Sequence, residues 1–193
     1  MRIISGRARG LKLAEVGAGD AAAHLRPTTD RVREAVFNLL CNANRPDPVP
    51  GARVLDLFAG TGALGLEALS RGAQRVAFVD DGAAARALLR TNIEKMRAMG
   101  ETDVWRRDAT RLGPNRGAGY GLVFLDPPYG QALGEAALES ARAGGWLAPG
   151  ATIVWEEGAP PVLPGWARRL DQRSYGGTLV TILEVGAEAA AAG

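Results

Sequence analysis

Val54-Leu55-Asp56-Leu57-Phe58-Ala59-Gly60-Thr61-Gly62-Ala63-Leu64-Gly65 reads as a buried strand that runs into a glycine turn and then a helix. In such a turn the backbone N–H groups lie open at close range, because glycine takes backbone angles that side chains disfavour. Gly60 to Gly65 matches G-x-G-x-x-G, and Asp80 ends the next strand twenty residues after Gly60. Those are also the marks of a dinucleotide site, so this stretch decides the fold before it decides the ligand.

Working outward, strands and helices alternate. Residues 53–57, 75–79, 103–106, 120–125 and 152–156 read as strands, and 64–71, 83–99 and 133–143 as helices, the first of these closed by Gly72. Strand, helix, strand in succession implies right-handed crossovers and a parallel sheet with helices on both faces. The end departs from that pattern. Residues 167–173 and 178–185 flank Ser174-Tyr175-Gly176-Gly177, a hairpin signature.

Upstream, residues 2–13 suit a short hairpin or an arm, and Gly17 to Ala23 a loop. Thr29 is then a helix N-cap, with Asp30 favourable in the first turn. Val32, Ala35, Val36, Leu39 and Leu40 make one apolar face, with Arg31 and Glu34 off it. The proline-rich run from Asn44 to Gly51 cannot continue a helix and marks a linker. The expected division is an N-terminal basic extension over 1–45 packed on a main domain over 51–185, with a frayed tail over 186–193.

The chain of 193 residues is long enough for one sizeable α/β domain. No stretch is long and apolar enough to span a membrane, and the N-terminus lacks the apolar core of a signal peptide. One cysteine, Cys41, excludes an internal disulfide and fits a reducing, cytoplasmic setting. Its place in the helix pattern predicts buried filler. His24 is the only histidine and reads as a loop residue, so no metal site is expected. The net charge is only +2, yet through Arg33 seven basic residues (Arg2, Arg7, Arg9, Lys12, Arg26, Arg31, Arg33) face three acidic ones. Such a basic end suits a docking polyanion, and equally an arginine-rich solvated surface.

A second stretch carries chemistry. Asp126-Pro127-Pro128-Tyr129 ends the apolar run Leu122-Val123-Phe124-Leu125. An exocyclic amine on a heterocycle is a poor nucleophile, because its lone pair is delocalised into the ring. Asp126 and the backbone carbonyl of Pro127 could each accept one N–H and aim the lone pair at an electrophilic methyl. Tyr129 could stack on the ring, and the prolines keep the turn stiff. The plainer reading is a Pro-Pro turn that Asp126 merely caps, but function concentrates in loops held by a rigid scaffold.

Asp56 separates the possible cofactors. It sits where the pyrophosphate of a dinucleotide would rest, and a carboxylate there repels phosphate. It can instead pair, directly or through water, with the ammonium of S-adenosylmethionine. Asp80 would hold the ribose hydroxyls, and Asp108, with Ala109 beside it, the adenine amino group. The turn residues Phe58, Ala59, Gly60 and Gly62 complete the candidate cofactor contacts. Simple loop capping is the competing account of all three carboxylates.

These residues together resemble a class I S-adenosylmethionine-dependent methyltransferase. Within that class the chain is similar to the RsmD family, the bacterial 16S ribosomal RNA guanine-N2 methyltransferases. The similarity runs from about Arg2 to Val185. It includes Arg2-Ile3-Ile4-Ser5-Gly6, Arg9-Gly10-Leu11-Lys12-Leu13, the glycine loop continued to Gly72, and Asp126 to Tyr129. The narrowest part is Leu25-Arg26-Pro27-Thr28-Thr29-Asp30-Arg31-Val32-Arg33-Glu34.

The resemblance implies a Rossmann-like α/β fold, a seven-stranded, mostly parallel sheet with helices on both faces and a C-terminal antiparallel hairpin. It implies catalysis at Asp126, Pro127, Pro128 and Tyr129, with S-adenosylmethionine and no metal. It implies a monomer whose extension grips 16S rRNA, in a small-subunit assembly particle, through Arg9, Arg26, Thr28, Thr29, Arg31 and Arg33. Two positions depart from the family: Asp80 stands where Glu is usual, and Gly82 where Asp is frequent. Alternatives are another amino methyltransferase, acting on DNA adenine or protein glutamine, and an NAD-binding oxidoreductase. Asp56 and Asp126 to Tyr129 disfavour the last.

Overall fold

The structure, a computed structural model, describes residues 1–15, 29–41 and 45–187. Seven strands form one sheet: β1 (Arg53–Leu57), β2 (Arg75–Val79), β3 (Thr102–Trp105), β4 (Tyr120–Leu125), β5 (Leu147–Glu157), β6 (Ala167–Tyr175) and β7 (Thr178–Val185). Their order is β3-β2-β1-β4-β5-β7-β6. The first five run parallel, while β7 runs antiparallel to both β5 and β6. The expected parallel sheet and closing hairpin are both present.

Side chains alternate across the sheet, as the pleat requires. Val54, Val76, Phe78, Leu122 and Phe124 pack with α1 (Asp30–Leu40), α2 (Ala63–Ser70) and α3 (Ala83–Met96). Leu55, Leu57, Ala77, Val123 and Leu125 pack on the opposite face with α4 (Leu133–Ala143) and a short 3₁₀ turn, Ala109–Arg111. Strands covered on both faces become continuous apolar runs, which is why β1 and β4 read so clearly.

The N-terminal segment is a hairpin rather than a free arm. Ile3 N–H donates to Leu11 O at 3.0 Å and Gly10 N–H to Ile3 O at 2.8 Å. Ile3 and Leu13, each 1% exposed, join the same core as α1 and α2. Thr29 caps α1 as expected, accepting from Val32 N–H at 3.3 Å. The buried face of that helix is rotated from the expected one. It comprises Arg33, Val36, Phe37 and Leu40, with Phe37 tilted against Phe124 at 5.7 Å. Burying such a ring contributes about 1.5–3 kcal/mol.

Three expectations need correcting. Cys41 is exposed, not buried filler. It lies one residue past α1, at the C-cap, and its thiol contacts Asp47 Oδ2 at 3.2 Å. α3 stops at Met96 rather than 99, because Arg97 turns into the left-handed region (φ 56°) and breaks the ladder. β5 begins at Leu147 rather than 152, a stretch that Pro149 and Gly150 made look like loop. His24 and the loop expected over Gly17 to Ala23 lie outside the described residues.

Candidate active site

Parallel pairing puts Leu57 of β1 in register with Leu125 of β4. Phe58 and Asp126 therefore leave the sheet side by side, at its carboxyl edge. The chain passes from β1 to β2 on one side and returns to β4 on the other, so this is the point where strand order reverses. Open α/β sheets form their ligand crevice there.

On the β2 side, the glycine loop is held by backbone hydrogen bonds and one carboxylate. Ala59 N–H donates to Val79 O at 3.1 Å and Gly62 N–H to Ala59 O at 2.7 Å. Asp80 Oδ2 accepts Gly60 N–H and Oδ1 accepts Gly82 N–H, each at 2.8 Å. Burial pushes the Asp80 carboxyl up, against the lowering effect of those two N–H groups. Phe58 sits in the left-handed region (φ 59°), unfavourable for an aromatic residue. Backbone strain of this kind, of order 1–3 kcal/mol, collects at functional sites. Its half-buried ring lines a groove with Asp80, Arg107, Asp108 and Ala109.

Asp56 lies beneath this loop, 2% exposed, with Oδ2 accepting Gly65 N–H at 3.0 Å. A methyl added at Gly65 would collide with Phe78 and Val76 and come 2.9 Å from Asp56 Oδ2, so glycine there lets α2 approach the sheet. Burial pushes the Asp56 carboxyl well above the usual range, and the charges of Asp126 and Asp80 push it further. No salt bridge among the described residues neutralises Asp56. Asp108 is exposed and accepts from Thr110 N–H at 2.8 Å and Thr110 Oγ1 at 2.7 Å through Oδ1. Those two bonds lower its carboxyl. Turn capping thus occupies one oxygen of Asp108, and the residue still borders the groove.

On the β4 side, Asp126 is half-buried, Pro127 buried and Pro128 exposed. The exit of this loop is tied to β5 by Glu157, 8% exposed, whose Oε1 accepts Gly130 N–H at 3.1 Å and Gly158 N–H at 2.9 Å. The Tyr129 hydroxyl shares a hydrogen bond with Thr178 Oγ1 at 3.2 Å, and its ring passes close over Gly158. Glu157 and Thr178 were not singled out by sequence reasoning. A glutamate ending the apolar strand Ile153-Val154-Trp155 was the available signal.

A family described as conserved hypothetical protein 95 matches residues 1–184. Ribosomal RNA small subunit methyltransferase D of Escherichia coli is 38% identical over 171 residues, covering 86% of this chain and 81% of that one. The chain belongs to the RsmD family. The Haemophilus influenzae protein of the same name is 35% identical over 159 residues, 81% of this chain and 78% of that one. The solved structure of the Escherichia coli protein yhhF superposes with a TM-score of 0.81 at 34% identity, covering 97% and 98% of the two chains.

Within the RsmD-family frame, the basic extension divides into surface and core. Arg9 and Arg31 are exposed, and Thr29 spends its hydroxyl on the α1 cap. Arg26 and Thr28 lie outside the described residues. Arg33 corrects the expectation of an RNA contact, because it is 0% exposed. Its guanidinium donates to Arg2 O and to Asp30 Oδ1, and its Nε lies 3.7 Å from Glu67 Oε2. Glu67, also 0% exposed, accepts Ile4 N–H at 2.8 Å, Ser5 N–H at 3.0 Å and Arg71 Nε at 2.8 Å. Arg33 and Glu67 therefore rivet the hairpin and α1 onto α2. The clue was an acidic residue in Ala63–Ser70, a helix buried on every side.

Proposed function

We propose that this protein transfers a methyl group from S-adenosylmethionine to the exocyclic N2 of a guanine in 16S ribosomal RNA. The observation that carries the reading is the convergence of three carboxylates, Asp80, Asp56 and Asp126, at the ends of neighbouring strands. The charges of Asp80 and Asp126 both bear on buried Asp56. Such a cluster favours a cation and disfavours a pyrophosphate, which fits the sulfonium amino acid and not a dinucleotide. The relatives' name, ribosomal RNA small subunit methyltransferase D, supports the RNA acceptor.

Asp56 would pair with the donor's ammonium, Asp80 would accept the ribose hydroxyls, and the Phe58, Asp108 and Ala109 wall would border the adenine. When bound, S-adenosylmethionine supplies an electrophilic methyl on a sulfonium centre. The remaining work is positional. The guanine leaves any stack, and its amine meets Asp126 and the Pro127 carbonyl, which accept its two N–H groups. Tyr129, steadied by Thr178 and Gly158, covers the ring. The amine would take the methyl in line, its N–C bond forming as the C–S bond breaks and S-adenosylhomocysteine leaves, and no strong base is needed because the methylated ammonium readily gives its proton to Asp126 or to water. Exposed Arg9 and Arg31 hold the RNA backbone.

The test is incubation with labelled S-adenosylmethionine and naked 16S RNA, assembling small-subunit particles or DNA, followed by mapping of the label. Label on N2 of a 16S guanine is expected. Label on DNA, or on no nucleic acid, would overturn the reading.

A further inference from the structure

Asn92, on α3, is 0% exposed and lies between two pieces of chain that the mechanism treats separately. Its Oδ1 accepts Ala14 N–H at 2.6 Å, and its Nδ2 donates to Ala14 O at 3.2 Å and to Thr61 O at 3.0 Å. Ala14 follows Leu13, the last core residue of the N-terminal hairpin. Thr61 is the middle of the glycine loop. The Ala14 N–H and C=O together determine which end of the amide faces which group, so Nδ2 is the atom presented to Thr61.

The Thr61–Gly62 peptide is thereby clamped at both ends. Its C=O is held by Asn92, and its N–H donates to Ala59 O at 2.7 Å. Gly62 takes φ 78° here, where an added methyl would strike Leu89, which is buried on the same helix. Peptide planes in a glycine-rich turn rotate easily. Rotation here is opposed by the Ala59 bond and by an amide whose other two hydrogen bonds belong to the hairpin. An apolar residue at position 92 would serve the core as well as its neighbours Leu89 and Ile93 do, so packing does not explain the amide.

We infer that Asn92 is a positioning residue for the donor site, one that uses the N-terminal hairpin as the abutment holding the glycine loop in its binding shape. The inference rests on the proposed donor site and adds to it. Donor affinity depends on a contact with the same hairpin that carries Arg9, and by reciprocity donor binding steadies that hairpin.

The test is calorimetric titration of the full chain with S-adenosylhomocysteine. Asn92→Asp keeps the acceptor for Ala14 N–H but loses both donated bonds. Its Kd is expected to rise about tenfold, the scale of one buried hydrogen bond, with the kinetic loss falling on the donor KM more than on kcat. A second measurement needs no variant. In the wild-type protein, S-adenosylhomocysteine should slow hydrogen exchange at the Ala14 amide as well as at Gly62. An unchanged Kd in a folded Asn92→Asp variant, or Ala14 exchange indifferent to ligand, would overturn the inference while leaving the donor site standing. Failure of the wild-type protein to bind S-adenosylhomocysteine would overturn both.

Discussion

Replacing Glu67 with glutamine tests the buried junction most sharply. The carboxylate has three hydrogen-bond donors, Ile4 N–H, Ser5 N–H and Arg71 Nε, and the Arg33 guanidinium adds an opposite charge at 3.7 Å. Glutamine offers one carbonyl oxygen and one NH₂. Placing the oxygen towards Ser5 and Arg71 turns the NH₂ onto Ile4 N–H and Arg33 Nε, two donors that it cannot serve. One buried N–H left unmade costs about 1–3 kcal/mol. Removing the partner of a buried charge costs about 3–5 kcal/mol. Arg33 retains Asp30, whose side chain is 51% exposed, so the lower end applies: about 3 kcal/mol. For a chain of this size that is a fall in Tm on the order of 10 °C. Urea and thermal unfolding followed by circular dichroism would read it. Hydrogen exchange should place the first loosening at Ile4 and Ser5. A loss below about 1 kcal/mol would refute the claim that Glu67 organises the hairpin.

Three further outcomes follow from the same geometry. Arg31→Glu should weaken 16S RNA binding and flatten its salt dependence by about one charge, with little change in Tm, whereas Arg33→Gln should lower Tm first; gel-shift titrations over a salt series separate the two. Asp56 has a folded-state carboxyl raised by burial, so as pH rises from the ordinary carboxylate range through that raised value the unliganded protein loses stability. Asp56→Asn should therefore raise the neutral-pH Tm without ligand while weakening S-adenosylhomocysteine binding about tenfold or more, and should reduce the acid-side fall in affinity to the part that Asp80 contributes. Glu157→Ala should lower kcat with donor Kd unchanged, and Glu157→Gln, which can still accept from Gly130 and Gly158, should restore most of the rate; equal loss in both variants would disprove the tether.

The sheet was legible because its strands are covered on both faces and so appear as unbroken apolar runs between glycine turns. Val54 to Leu57 and Leu122 to Leu125 carry that signal with no help from tertiary context. Asp56, Asp80 and Asp126 were legible as strand-end carboxylates, since position along a strand places them at one edge. Arg33 was misread for a physical reason. Arginine in a basic stretch is normally solvated, and its burial depends on Glu67, thirty-four residues away on another helix. Glu157, Thr178 and Asn92 were invisible for a related reason. Glu157 and Asn92 act through backbone atoms of a distant loop, which leave no mark in a side-chain pattern, and Thr178 acts through the Tyr129 hydroxyl, forty-nine residues away. Cys41 shows the error at a boundary, where one residue past a helix end turns a buried position into an exposed one.

In the proposed reaction, the Asp126 loop holds the accepting amine beside a donor site whose direct contacts, Asp56 and Asp80, do not include Asp126. Asp126→Ala, assayed in parallel for methyl transfer to 16S RNA and for S-adenosylhomocysteine binding, tests this arrangement most directly. Transfer should fall at least about a hundredfold, while the Kd for S-adenosylhomocysteine changes by no more than about fivefold, because Asp126 bears on the donor only through its charge. Wild-type turnover by the variant would contradict it.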